Sequence, residues 1–173
     1  MLSVVLSCVL ASTFSGTIAG FHLRVEKTAR RMLVMDGKDT LKVYGVALGN
    51  GGADAGAKMI RGDRKTPEGV YTIRSRNPNS HYYKSFLLDY PSIQDAEQAR
   101  HYGVINQKEY LSILQAHRAG RLPPQSTSMG GDICIHGGHI AYDWTLGCVA
   151  VTDAGMDSLW GRVKVGTKVE IAP

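Results

Sequence analysis

Along most of this chain apolar residues recur at the two-residue interval of half-buried strands, and only two stretches carry the caps and spacing of a helix. Val25 to Val34 and Thr40 to Leu48 alternate in this way on either side of the polar turn Asp36-Gly37-Lys38-Asp39, which predicts a β-hairpin. Gly49 to Gly56 is rich in Gly, Ala and Asp without periodicity and reads as a surface loop. Arg64-Lys65-Thr66-Pro67-Glu68-Gly69 is a turn, with Pro67 setting φ, that leads into a strand over Val70 to Ile73. Phe86 to Tyr90 is a further strand, stopped by Pro91. Asp132 to His136 alternates too: as a strand it sends Ile133 and Ile135 to the core and sets Cys134 and His136 on the other face. Thr167 to Ile171 follows the same rhythm.

The clearer helix starts at Asn106, where Asn106-Gln107-Lys108-Glu109 has the form of a capping box and Leu111, Ile113 and Leu114 follow. His117 and Arg118 suit the negative end of its dipole, Gly120 suits a left-handed cap, and Pro123-Pro124 prevents continuation. A shorter helix spans Asp153 to Trp160, capped by Thr152 and ended by Gly161. With no internal repeat or linker, the pattern predicts a mainly β (α+β) domain with one or two helices packed at its side.

Composition narrows the setting. The 173 residues are 43% hydrophobic and 20% charged, which suits one globular domain and excludes disorder. A net charge of +5 favours anionic surroundings. Lys and Arg are not clustered in a run and no nucleic-acid-binding signature is present, so nucleic acid is not an expected partner. Residues 1–20 carry no charged side chain and read as an export segment, a signal peptide with Thr17 and Ala19 at small-residue positions, or else an uncleaved membrane anchor. That places residues 21–173 outside the cytoplasm, in the periplasm or cell envelope. Three cysteines make no disulfide framework: Cys8 falls in the export segment, leaving Cys134 and Cys148 for the domain.

A thiol beside an imidazole is the minimal pair for nucleophilic acyl transfer, and Cys148 and His136 supply it. Gly147 lets the backbone approach a substrate next to the thiol, and Gly137-Gly138 ends the strand that carries the imidazole. The bland alternative is a cysteine that merely fills the core. Cys134, on the His136 face, is either apolar filler or a partner for Cys148 under oxidation. His136, His139, Asp143 and Cys148 are metal-ligating types, but the two histidines lie in a glycine turn rather than on a helical face, so neither metal nor cofactor is expected. Tyr142 and Trp144, with His139, form either an aromatic wall for a ligand or a packed loop. Arg61, Arg64 and Lys65 are either a site for substrate carboxylates or a solvated basic turn.

Ile135-His136-Gly137 with Gly147-Cys148-Val149, preceded by Asp63 to Tyr71, resembles the L,D-transpeptidase catalytic domain, also called YkuD-like. Leu88-Asp89-Tyr90-Pro91, Gly130 to Ile133 and Ala150 to Asp153 resemble its YafK-like branch in particular. The resemblance implies an L,D-transpeptidase-type β-sandwich acting on peptidoglycan stem peptides through a thioester. An amine, from another stem or a wall-attached protein, or water would resolve it, giving transpeptidation or hydrolysis. It implies Cys148 as nucleophile, His136 as base and acid, the Gly137 carbonyl as its orienting group, and the amides of Gly147 and Cys148 as oxyanion hole. Tyr142, Trp144, His139, Arg61 and Lys65 would then line the substrate, and a carbapenem would acylate Cys148. Two positions depart from the family's more usual pattern: Leu146 stands where a second His is common, and Ala150 where an Arg is. A weakly active wall-binding module of the same fold is the alternative those departures raise.

Overall fold

The computed structural model describes residues 18–52 and 56–173, so the expected export segment and Cys8 lie, save for residues 18–20, outside the described part. Among the described residues no helix is long and apolar enough to cross a membrane. Chain order is β1 (Phe21–Glu26), β2 (Arg31–Asp36), β3 (Asp39–Gly45), β4 (Gly69–Ser80), β5 (Tyr83–Leu88), α1 (Ile93–His101), α2 (Gln107–Arg118), β6 (Cys134–Gly137), β7 (Val149–Val151), α3 (Asp153–Trp160) and β8 (Lys168–Ala172). The α+β class is as the alternation implies.

The described strands form one mixed sheet in the order β3-β2-β1-β8-β4-β5-β6-β7, parallel at β1/β8 and β6/β7 and antiparallel elsewhere. β4 belongs to both halves: Gly69 to Thr72 pair with β8, and Ile73 to Ser80 pair with β5. Beyond β3 the chain then meets the far edge of the sheet, where Ala47 and Ala150 exchange backbone hydrogen bonds of 3.0 and 2.8 Å. Both edges of the strand order are thereby joined beside β7. Leu23, Val25, Tyr71, Ile73, Phe86, Leu88, Ile135, Val149, Val151 and Val169 fill the interior with Ile113 of α2 and Met156 and Leu159 of α3. Burial of each such aliphatic side chain is worth about 1.5–3 kcal/mol, so the alternation at Ile133 and Ile135 holds β6 on the core and presents its other face to the site.

Three expectations are corrected. The run Val25 to Val34 is not one strand: the backbone turns over residues 27–30, with Arg30 at φ 49° and its amide donating to the Lys27 carbonyl, and β1 pairs back on β2. The expected hairpin around Gly37-Lys38 is present as β2/β3. There are three described helices rather than one or two. α2 and α3 begin at the caps read from sequence, Asn106 and Thr152, whereas α1 is held by a Ser92/Asp95 capping box and buries little besides Ala96 and Ala99, too thin a stripe to show as periodicity. Finally, β4 runs on to Ser80 through polar residues, because hydrogen bonding to β5 rather than burial carries its second half.

Candidate active site

β6 and β7 lie parallel, with Ile135 opposite Val149 and His136 opposite Ala150. Cys148 stands one residue before β7, on the turn that Thr145 shapes: the Thr145 hydroxyl donates to the Cys148 carbonyl at 2.7 Å and accepts from the Gly147 amide at 3.2 Å. Gly147 adopts φ 132°, and a β-carbon there would sit 2.8 Å from the Lys65 carbonyl oxygen and 3.1 Å from Ile133 Cδ1. Only glycine fits that close approach, so the Gly-Cys pair is a packing requirement as well as a chemical one.

The Cys148 sulfur is half-buried and ringed by β6 and the residues before it. The Cys134 amide donates to it at 3.3 Å, and its thiol reaches the Asp132 carbonyl at 3.5 Å. Cys134 and Cys148 are both free thiols. The Cys134 thiol, the His136 imidazole and the Cys134 amide hold Cys148 well below the ordinary thiol range, against a burial that opposes it. Cys148, followed by burial, pushes Cys134 up instead. Burial would lower His136, but the Cys148 sulfur and the Gly137 carbonyl together hold it above its ordinary value. The two directions run toward proton transfer from Cys148 to His136.

His136 is fixed from two directions. Its Nδ1 bonds the Gly137 carbonyl at 2.8 Å, which leaves the other ring nitrogen for Cys148. The Tyr82 ring stacks on the imidazole with centroids 4.6 Å apart, while Trp144 meets it edge-on at 5.6 Å. Trp144 in turn stacks on His139 at 5.0 Å and donates its indole N–H to the His139 carbonyl at 3.0 Å, and Tyr142 tilts against His139 at 4.7 Å. Tyr142, Trp144 and His139 therefore come together as one aromatic wall that reaches His136. Asp143 takes no part in it, since its carboxylate pairs with Arg30 at 3.0 Å and accepts from the Leu48 amide at 2.9 Å.

On the other flank of Cys148, Asp132 and Leu146 border a cavity of about 430 Å³ that Lys58, Arg61 and Arg64 also line. Arg61 is partly committed, with Nε and Nη2 both donating to the Thr127 carbonyl at 3.2 and 3.0 Å. Lys65 meets the site through its backbone: its carbonyl abuts Gly147 and its amide donates to Asp63. Leu146, 70% exposed, stands at the rim of this cavity and not in the core. Ala150 is fully buried and pairs with His136 on one side and Ala47 on the other. Both departures from the more usual family pattern thus have a place in this structure.

Sequence reading missed three contributors. Tyr82 comes from the β4/β5 turn, whose only local signal is the polar Asn-Pro-Asn-Ser run before it. Lys27, with no exposed surface, donates to the carbonyls of Gly56 and Thr66 at 3.2 Å each and pairs with Glu68 at 2.7 Å. Glu68 of the Thr-Pro-Glu-Gly turn therefore serves the fold, and Thr66 caps the Gly49 amide at 2.9 Å. Thr145, which shapes the turn at Cys148, is the third.

The model of the YkuD family, the L,D-transpeptidase catalytic domain, matches residues 20–171. A search of curated protein sequences found no match. Among solved structures, the helical cell shape determining protein Pgp2 of Campylobacter jejuni aligns over 91% of this chain and 51% of its own, at 22% identity and TM-score 0.58. An L,D-transpeptidase of Xylanimonas cellulosilytica aligns over 91% and 64%, at 15% identity and TM-score 0.53. The LD transpeptidase LdtMt1, solved in complex with imipenem, aligns over 88% and 59%, at 12% identity and TM-score 0.50. The chain spans about half to two-thirds of the length of these solved proteins, and the likeness is one of fold.

Proposed function

Since the chain belongs to the L,D-transpeptidase catalytic-domain family, we propose that it is an exported cysteine acyltransferase of peptidoglycan. The Cys148 thiolate attacks the carbonyl of an L,D peptide bond in a stem peptide, and His136 gives its proton to the departing amine. A thioester on Cys148 remains. His136, neutral again, takes a proton from the entering amine as that nitrogen attacks the thioester, and the thiolate leaves. Water entering in place of the amine gives hydrolysis. A wall-attached protein that offers an amine would be a further acceptor.

The observation that carries this reading is the hydrogen bond from His136 Nδ1 to Gly137, which leaves the opposite ring nitrogen for the Cys148 sulfur, a thiol that its neighbours hold below the ordinary range. A backbone carbonyl takes the orienting role that a carboxylate plays in other triads. The amides of Gly147 and Cys148 serve as the oxyanion hole. The aromatic wall of Tyr142, Trp144 and His139 suits the stem backbone, and the cavity lined by Arg61 and Arg64 suits its carboxylates, Lys58 there being paired with Asp63 at 2.8 Å. Attack by the same thiolate on the strained ring of a carbapenem would leave the adduct on Cys148. Delivery of the domain to the wall is the task of the uncharged segment over residues 1–20.

The test is incubation of the full chain with purified muropeptides, products followed by mass spectrometry, beside Cys148→Ala. Crosslinked or exchanged products from the wild type alone support transpeptidation, and shortened stems alone assign hydrolysis. A wild type no more active than Cys148→Ala leaves only the weakly active wall-binding module.

A further inference from the structure

The sulfur of Cys148 has partners suited to two charge states, and they do not overlap. As a thiol it gives its hydrogen to the Asp132 carbonyl at 3.5 Å. As a thiolate it has nothing to give that oxygen and needs donors instead. His136 supplies one after taking the proton, and the Cys134 amide supplies a second at 3.3 Å. A third stands beside them. The parallel register that sets Ile135 opposite Val149 sets Cys134, one step back, opposite Cys148. Because Ile133 and Ile135 point into the core, the Cys134 side chain lies on the Cys148 and His136 face. We infer that the Cys134 thiol is a positioning residue: its S–H donates to the Cys148 thiolate and, with the Cys134 amide, holds the nucleophile in its charged form and place.

The groups facing that sulfur are few enough to separate. From β6 come Cys134 and His136, and from the turn before it Asp132, whose carbonyl meets Cys148 and whose carboxylate acts on Cys134; beyond Asp132, Arg61, Arg64 and Lys58, the last paired with Asp63, line the adjoining cavity. The amide of residue 134 survives any substitution there, so a change at this side chain removes one donor only. The opposed directions at the two sulfurs, Cys148 down and Cys134 up, agree with one proton kept on Cys134. Serine keeps a donor at the same atom. Valine, near in volume and at home in a strand, removes it.

This inference rests on the reading of Cys148 as the nucleophile, but its test reads the thiolate directly. Full-length wild type, Cys134→Ser and Cys134→Val are alkylated with iodoacetamide under reducing conditions between about pH 4 and 10, and the Cys148 peptide is quantified by mass spectrometry. Wild type and Cys134→Ser are expected to share a low alkylation midpoint, and Cys134→Val to titrate about one pH unit higher, with roughly tenfold less thiolate below it. Cys134→Ala reads the same contrast if valine disturbs the strand. A donor-free variant that titrates with wild type overturns the inference, as does a serine variant shifted equally with the valine one, which would assign the effect to packing. A chain inert on muropeptides but with the predicted titration fails the transpeptidase reading and keeps this one.

Discussion

Replacing Glu68 by Gln tests whether the Thr-Pro-Glu-Gly turn is held by charge. Lys27 has no exposed surface, and Glu68, 23% exposed at its side chain, is its counter-ion at 2.7 Å. Removing one partner of a buried pair costs about 3–5 kcal/mol, because the remaining charge is stranded away from water. The carbonyls of Gly56 and Thr66 still accept from the ammonium at 3.2 Å, and glutamine keeps an oxygen for it, so the low end applies: about 3 kcal/mol. In a domain of this size that lowers the melting temperature by roughly 6–12 °C. Lys27→Met removes the charge itself, at the cost of two carbonyls that lose their donor. Adding Glu68→Gln to it then costs little, since no charge is left to strand. The coupling from urea unfolding of the two single variants and the double is expected to be at least about 1.5 kcal/mol. Glu68→Gln within about 0.5 kcal/mol of wild type, or additive costs, would refute the reasoning. The Lys65 carbonyl adjoins both this turn and Gly147, so Cys148 alkylation should slow in Glu68→Gln as well.

Two further outcomes follow from the geometry. Tyr82→Ala removes the ring stacked on His136 and is expected to lower turnover of muropeptides three- to tenfold, on the order of an aromatic pair, while Tyr82→Phe keeps it; equal losses in both would assign the effect to the hydroxyl. Burial raises the Asp95 carboxyl from 3.8 to about 6, although Ser92 and the Tyr71 hydroxyl bond it and His117 opposes the shift. Its contribution to stability is therefore complete below about pH 3.8 and lost as the pH rises through about 6. Relative to Asp95→Asn, the wild type should lose on the order of 2–3 kcal/mol between about pH 4 and pH 7 in urea unfolding, and an unchanging difference would show that the carboxyl ionises normally in the fold.

What could be read from the chain was whatever its chemistry keeps local. The capping boxes at Asn106 and the cap at Thr152 act within three residues, so α2 and α3 start where their sequences say. The glycines beside Cys148 and His136 mark close approaches that a local pattern can signal: Gly147 lies against Lys65, and a β-carbon at Gly137 would come within 3.1 Å of the Tyr82 carbonyl. The remainder depends on distant partners. Lys27 meets Glu68 across 41 residues, and Arg61 meets Thr127 across 66, so neither role leaves a local mark. The opposite faces of β6 were read correctly from alternation, but that Asp132 offers its carbonyl to the thiol depends on a backbone at φ 55° that no pattern announces.

The joining of the sheet at Ala47 and Ala150, together with β8 lying between β1 and β4, sets when the nucleophile comes into being during folding. Those pairings tie chain positions about a hundred residues apart or more, as in the 146-residue separation of Arg24 and Glu170. Closing such loops costs entropy before it returns contacts, which makes folding slow and cooperative. The partners that bear on the Cys148 sulfur, Cys134, His136 and the Asp132 carbonyl, meet it across the β6/β7 pairing, so a chain in which those strands have not met leaves that thiol without them.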